Sequence, residues 1–273
     1  MSVLLIVVGV VLGGLVGAAV PEIIERIPEP VDPPADEDTS LDEGAAGATG
    51  EVIAEPAPQA ESERESEPEA EAEAEEDPKE LYAEMARLPW LRAVGALLGA
   101  AMGGLFAAGA PDWSLLWLWP LVPVLVALSI IDARTRLLPK ILVLPATLFA
   151  IVMVVIVGLA TGEGDQVVRA LLAMVVLRTF YWILWFIHSA GLGFGDVRYS
   201  ALLGVILGWV GWGALAVASM ISLLSFVIGP LVVLVVTRDT AVLKRAIAFG
   251  PFMTLGAVAG LGWGPQIAAY IWG

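Results

Sequence analysis

Only six of the 29 acidic residues in this 273-residue chain lie outside the stretch 21–92, so few carboxylates are placed to do chemistry. Asp112, Glu163 and Asp165 fall in short polar links between apolar segments, and Asp239 stands beside Arg238. Asp132 and Asp196 differ from these. Asp132 closes an apolar segment after Ala-Leu-Ser-Ile-Ile, and Asp196 opens another after Gly-Leu-Gly-Phe-Gly. Ionisable groups at the edge of hydrocarbon are costly and are candidates for function. Two carboxylates held together in a poorly solvated place cannot both ionise, so they share a proton. One can then act as general base toward water while the other acts as general acid toward a peptide carbonyl. The inventory supports no competing hydrolytic device. The chain has no Cys and a single His, His188, which excludes a thiol nucleophile, thiolate zinc and a multi-histidine metal site, and no metal or cofactor is called for. For either Asp taken alone, a simpler role competes: capping a helix, or pairing with Arg134, Arg136 or Arg198.

The elements that must position the pair are membrane helices. The chain is 58% hydrophobic and 16% charged, against about 45–50% and about 25% in soluble domains. Apolar runs near the ~20 residues a bilayer requires occur at 3–20, 90–109, 113–131, 141–160, 167–190, 199–212, 214–236 and 248–272. They predict an all-α polytopic membrane protein of about eight transmembrane helices, with the border at Gly208–Gly213 the least sharp. The first run lacks the basic flank of a signal peptide. Loops 21–92, 132–140, 196–198 and 237–246 hold twelve of the fourteen Lys and Arg, which places them on the cytoplasmic side. Arg169 and Arg178, inside the fifth run, are expected to face the bundle or to snorkel.

Charge divides the chain further. Residues 21–92 carry 23 acids and 5 bases, a net −18, and the remainder nets +3. The organisation expected is a first helix at 1–20, an acidic cytoplasmic loop at 21–89 and a membrane domain at 90–273. The loop is rich in Glu, Ala and Pro and has too little apolar surface to fold, so it is predicted to be mostly disordered, with a short helix near Pro78–Met85. A solvated spacer explains its acidity more simply than capture of a basic partner. Nucleic acid is not an expected partner. Gly191-Leu-Gly-Phe-Gly195 has no strand before it and no βαβ unit around it, which excludes a dinucleotide fingerprint.

Three blocks in order resemble the type IV prepilin peptidases, which belong to the Gly-x-Gly-Asp family of membrane aspartic proteases. They are Ile131-Asp-Ala-Arg-Thr-Arg-Leu-Leu-Pro139, Gly191-Leu-Gly-Phe-Gly-Asp-Val-Arg198 and Ala248-Phe-Gly-Pro-Phe-Met-Thr-Leu-Gly256. The stretch Gly9–Gly17, running on to Ile24-Glu-Arg-Ile-Pro28, is similar to that family's first crossing and exit. The resemblance implies that Asp132 and Asp196 are the catalytic aspartates, with Pro139, Gly193, Gly195, Gly250 and Pro251 as supporting motif positions. It also implies a pilin-like precursor as substrate, with a short basic leader, cleaved at the cytoplasmic face of a bacterial inner membrane. In many members the first loop carries a cysteine-ligated zinc domain associated with N-methylation. Here that loop has no Cys, and methyl transfer is not expected.

Lys140 stands where the family usually has Asp or Asn, and Arg198 where it usually has Lys. Two other readings keep the membrane bundle: a transporter using the two Asp for cations or protons, and an inactive assembly scaffold.

Overall fold

In lipid, a backbone must satisfy its own polar groups, and an isolated apolar run can do so only as a helix. The computed structural model describes residues 3–28, 82–109, 113–187, 192–238 and 247–272, and among them there are helices and no strand. In chain order these are α1 (Val3–Gly17), α2 (Val20–Glu25), α3 (Tyr82–Ala86), α4 (Leu91–Gly109), a 3-10 turn at Trp113–Leu118, α5 (Leu121–Thr135), α6 (Lys140–Thr161), α7 (Gly164–Ile187), α8 (Phe194–Val210), α9 (Trp212–Thr237) and α10 (Gly250–Trp272). Of the stretch 21–89 predicted to be a mostly disordered loop, residues 29–81 fall outside the described residues, as do His188, Asp112 and Asp239. Its two ends are described and carry most of α2 and all of α3, because apolar residues there pack on the bundle.

Among the described residues, five spans are long and apolar enough to cross a membrane: Val3–Glu25, Leu116–Thr135, Lys140–Thr161, Gly164–Ile187 and Trp212–Val235. The protein is a polytopic all-α membrane protein, with α4, α8 and α10 completing the described bundle. Helical structure runs past residue 20, because Pro21 occupies the first turn of α2, where its missing N–H costs nothing.

Small residues set how closely the helices approach. Gly9, Gly13 and Gly17 of α1 face Gly103, Gly99 and Gly95 of α4, and a Cβ on any of these six would meet the opposing backbone or, at Gly95, also Val20. Apolar side chains gain little by leaving lipid for a neighbouring helix, so close backbone packing of this kind holds membrane helices together. Below that seam, Val20, Ile24 and Ile27 pack with Tyr82, Met85 and Leu91, and with Val126, Ala127, Ile130 and Ile131 of α5. An Arg92–Glu22 ion pair ties the same two ends of chain at the surface.

α8 is the central helix. Every residue from Tyr199 to Trp209 is buried, as expected of a helix that is apolar all round. Gly204 and Gly208 let it press against Ala170, Ala173 and Met174 of α7. Its C-terminus is stopped by Gly211 at φ 151°, a conformation that L side chains rarely adopt. Arg169 faces the bundle and closes the same end, donating to the carbonyls of Gly208 (2.8 Å) and Trp209 (2.6 Å). A cation there answers the negative end of the helix dipole. Arg178, by contrast, is exposed on α7.

Candidate active site

α5 ends just beyond Asp132. Arg136 adopts the left-handed conformation at φ 55°, and its N–H donates to the Asp132 carbonyl at 2.8 Å. The chain then runs through Leu137 and Leu138 to Pro139, which precedes the first residue of α6 in extended geometry. Asp132 thus occupies the last turn of a helix whose buried face continues up to it, and only 4% of its surface is exposed.

Asp196 lies in the first turn of α8 and is 6% exposed. Its Oδ2 accepts the Gly193 N–H at 3.0 Å, the side-chain half of a capping arrangement three residues into a helix. Its Oδ1 is buried without a hydrogen-bond partner among the described residues. Buried polar atoms are almost always paired, so an unpaired carboxylate oxygen calls for an explanation.

The third block completes the arrangement. Asp132 Oδ2 accepts the N–H of Gly250, the first residue of α10, at 2.7 Å. Each carboxylate therefore holds a helix start: Asp196 that of its own helix, Asp132 that of α10. Capping and catalysis do not exclude one another here, since each cap engages one oxygen. The guanidinium groups of Arg134 and Arg198 lie over the rings of Trp90 (5.2 Å) and Phe194 (4.8 Å).

The two motifs also touch directly. A Cβ on Gly195 would come within 2.9 Å of the Leu138 side chain, so the link after Asp132 packs on the turn that carries Asp196. Gly250 has no room for a side chain, because its Cβ would meet Asp132 Oδ2 at 2.7 Å. Gly193 is different: its backbone is extended (φ −73°, ψ 147°), and a Cβ would sit 3.5 Å from Asp196 Oδ2, an ordinary contact. Gly193 thus contributes its N–H rather than its lack of a side chain. Pro251 is the second residue of α10, in keeping with a helix start. Lys140 is exposed at the beginning of α6. Glu163, beside Gln166, and Asp165 are exposed and lie well along the chain from this cluster.

One layer of the site was not singled out from sequence. Ser129, Tyr199 and Thr254 form a hydrogen-bonded group one turn from Asp132, Asp196 and Gly250 respectively. A signal was available, because each is a polar residue three or four positions from a motif residue on an otherwise apolar helix. Aromatic rings close another side, with Phe249 5.6 Å from Tyr181 and 4.9 Å from Phe226. Beside the pair, α4, α5 and α10 leave a groove of about 250 Å³. Ser129, Pro251 and Thr254 line it together with Leu98, Leu105 and Leu255. No group of three or more metal-ligating side chains occurs among the described residues.

Residues 119–237 match the type IV leader peptidase family, a span that includes Asp132 and Asp196 and stops short of Gly250. The chain is similar to a prepilin leader peptidase/N-methyltransferase of Aeromonas hydrophila, 33% identical over 188 residues, covering 68% of this chain and 61% of that protein. A protein of the same description from Escherichia coli (strain K12) is 36% identical over 137 residues, covering 50% of this chain and 58% of its own length. One from Pseudomonas putida is 32% identical over 187 residues, covering 67% and 61%. The chain spans about three fifths of the length of these relatives. No solved structure matches it.

Proposed function

We propose, on the match of residues 119–237 to the type IV leader peptidase family, that this chain is a membrane aspartic endopeptidase that removes the basic leader from pilin-like precursors, with Asp132 and Asp196 as its catalytic pair. One observation carries the assignment of residues. Two buried carboxylates come from motifs that pack on one another through Gly195 and Leu138, each is anchored by a backbone N–H at a helix start, and one keeps an oxygen unpaired among the described residues.

Chemistry follows from a single shared proton. The ionised carboxylate takes a proton from a water molecule as the water oxygen attacks the scissile carbonyl carbon. The protonated carboxyl gives its proton to the carbonyl oxygen. Collapse of the tetrahedral intermediate breaks the C–N bond: the proton first taken from water passes to the leaving amine, and the carboxylate that protonated the carbonyl oxygen takes a proton back from a hydroxyl of the intermediate, restoring the shared proton. The Gly193 and Gly250 N–H groups hold the two carboxylates through these exchanges, so little reorganisation is needed at each step.

The pair lies at helix ends facing the loops rich in Lys and Arg, which supports cleavage at the cytoplasmic face of the bacterial inner membrane. Apolar residues beyond the scissile bond enter the groove between α4, α5 and α10. Methyl transfer is not assigned, since the first cytoplasmic loop has no Cys to ligate zinc.

The test is cleavage by purified protein in detergent of a precursor with a basic leader and Gly before the scissile bond. Hydrolysis that persists in chelator is the expected result. Activity lost to chelator and restored by zinc would overturn the aspartic mechanism.

A further inference from the structure

The carboxylates are supported from below by a second layer that repeats their geometry. Ser129 precedes Asp132 by three residues on α5, Tyr199 follows Asp196 by three on α8, and Thr254 follows Gly250 by four on α10. α5 ends near its carboxylate, whereas α8 and α10 begin at theirs. All three offsets therefore lead one turn deeper into the bundle. There the hydroxyls converge. Thr254 Oγ1 lies 2.6 Å from Ser129 Oγ, 2.7 Å from Tyr199 Oη and 3.1 Å from the Gly250 carbonyl oxygen.

A hydroxyl has one proton to donate and two lone pairs to accept with. Thr254 Oγ1 can therefore satisfy its three contacts at once, donating one proton and accepting two. Ser129 has one proton and two acceptors in reach, Thr254 Oγ1 and the Leu125 carbonyl at 2.8 Å. Tyr199 is fully buried and Thr254 nearly so.

We infer that Thr254 is a positioning residue for the carboxylate pair: it ties α5, α8 and α10 together one turn beneath Asp132 and Asp196 and so fixes how far apart the two carboxylates stand. Asp132 is gripped by the Gly250 N–H, and the carbonyl of that same Gly250 is gripped by Thr254. Through Ser129 and Tyr199, Thr254 also holds the two helices that carry the carboxylates. Loss of its hydroxyl releases all three at once. The inference rests on the assignment of Asp132 and Asp196 as catalytic.

The test compares T254V, which keeps the shape and removes the hydroxyl, with T254S, which keeps the hydroxyl. Precursor cleavage by purified full-length protein is read as separate kcat and KM. T254V is expected to lower kcat about 10- to 100-fold, the scale on which sub-ångström to ångström misplacement acts, with T254S restoring turnover. T147V is the matched control, because Thr147 bonds only the Val143 carbonyl of its own helix; it should retain full activity. Should T254V fold poorly with the partners of the Thr254 hydroxyl stranded, the triple variant S129A/Y199F/T254V removes all three hydroxyls together and is expected to fold. It should still show the kcat loss. Wild-type kcat in T254V or in the folded triple variant overturns the inference, as does a rise in KM at constant kcat. A D132N protein that still cleaves would instead overturn the catalytic assignment, so the two failures are distinct.

Discussion

The Gly250 N–H reaches Asp132 Oδ2 at 2.7 Å across 118 residues of chain, joining the end of α5 to the start of α10. The contact excludes any side chain at position 250, since a Cβ would occupy the space of that oxygen. Gly193 makes the equivalent bond to Asp196 and yet has room for a Cβ. Two glycines with the same apparent role should therefore respond differently to the same substitution. G250A is expected to displace the Asp132 carboxylate and lower kcat by about 100-fold or more. G193A, which keeps its N–H and an allowed backbone, should stay within about tenfold of wild type. Steady-state kinetics on both variants, with folding checked by size-exclusion in detergent, decides the matter. Equal losses would show that the difference in space has no mechanistic weight.

Asp132→Asn and Asp196→Asn should each abolish cleavage while the protein still inserts and folds. An amide can neither take the proton from water nor return it. Groups that act as one unit are non-additive, so the double variant should be no worse than either single one. E163Q and D165N, at exposed positions away from the cluster, should be silent. Single-turnover cleavage with quantified protein provides the measurement, and turnover in either Asn variant removes that residue from the pair.

The seam between α1 and α4 lies away from the carboxylates and should govern stability rather than chemistry. Gly13 sits against the Gly99 carbonyl, whereas a Cβ on Gly14 would meet Ala100 and Ala96 at 3.4 and 3.5 Å. G13V should overpack the seam and cost about 1–3 kcal/mol or more, read as a lower Tm in detergent. G14A should be near neutral. A G13V protein as stable as wild type would mean that the helices do not depend on this close approach.

Much of this arrangement was legible in the residues, and for definite reasons. Lipid leaves an apolar run little alternative to helix, so segment positions followed from hydropathy, and the scarcity of acids outside 21–92 drew attention to Asp132 and Asp196. The border between α8 and α9 was ambiguous because the run from 199 to 236 is almost unbroken in hydropathy. What ends α8 is a backbone angle at Gly211 and an Arg169 side chain from another helix, neither of which is a local property of the sequence. Arg169 itself was left between facing the bundle and snorkelling, because a single helix does not reveal which neighbour supplies carbonyls. The hydroxyl layer escaped notice for a related reason. Ser129, Tyr199 and Thr254 are unremarkable polar residues one by one, and only the crossing of α5, α8 and α10 brings them together.

Removal of the acidic stretch is the remaining prediction. The chain on either side of it is joined without its help, since Ile24 and Ile27 pack with Tyr82 and Met85 and Glu22 pairs with Arg92. Deleting residues 32–77 should therefore leave the membrane helices and kcat at saturating substrate intact. The described hydrogen bonds of the carboxylate pair and of the hydroxyl layer are all made by residues outside that stretch. Any contribution the stretch makes is electrostatic, because it supplies most of a net −18 carried by residues 21–92. Charge of that size attracts a leader bearing a few Lys or Arg. The attraction is screened beyond the Debye length, about 8 Å at physiological salt and about 30 Å at 0.01 M. The deletion should raise KM at low salt and have a diminishing effect as salt increases, with kcat constant throughout. Cleavage kinetics for the full chain and the deletion variant across a salt series separate the possibilities. A loss of kcat that does not change with salt would show that the stretch positions the catalytic helices, and a KM unaffected at every salt concentration would show that its charge does not reach the substrate.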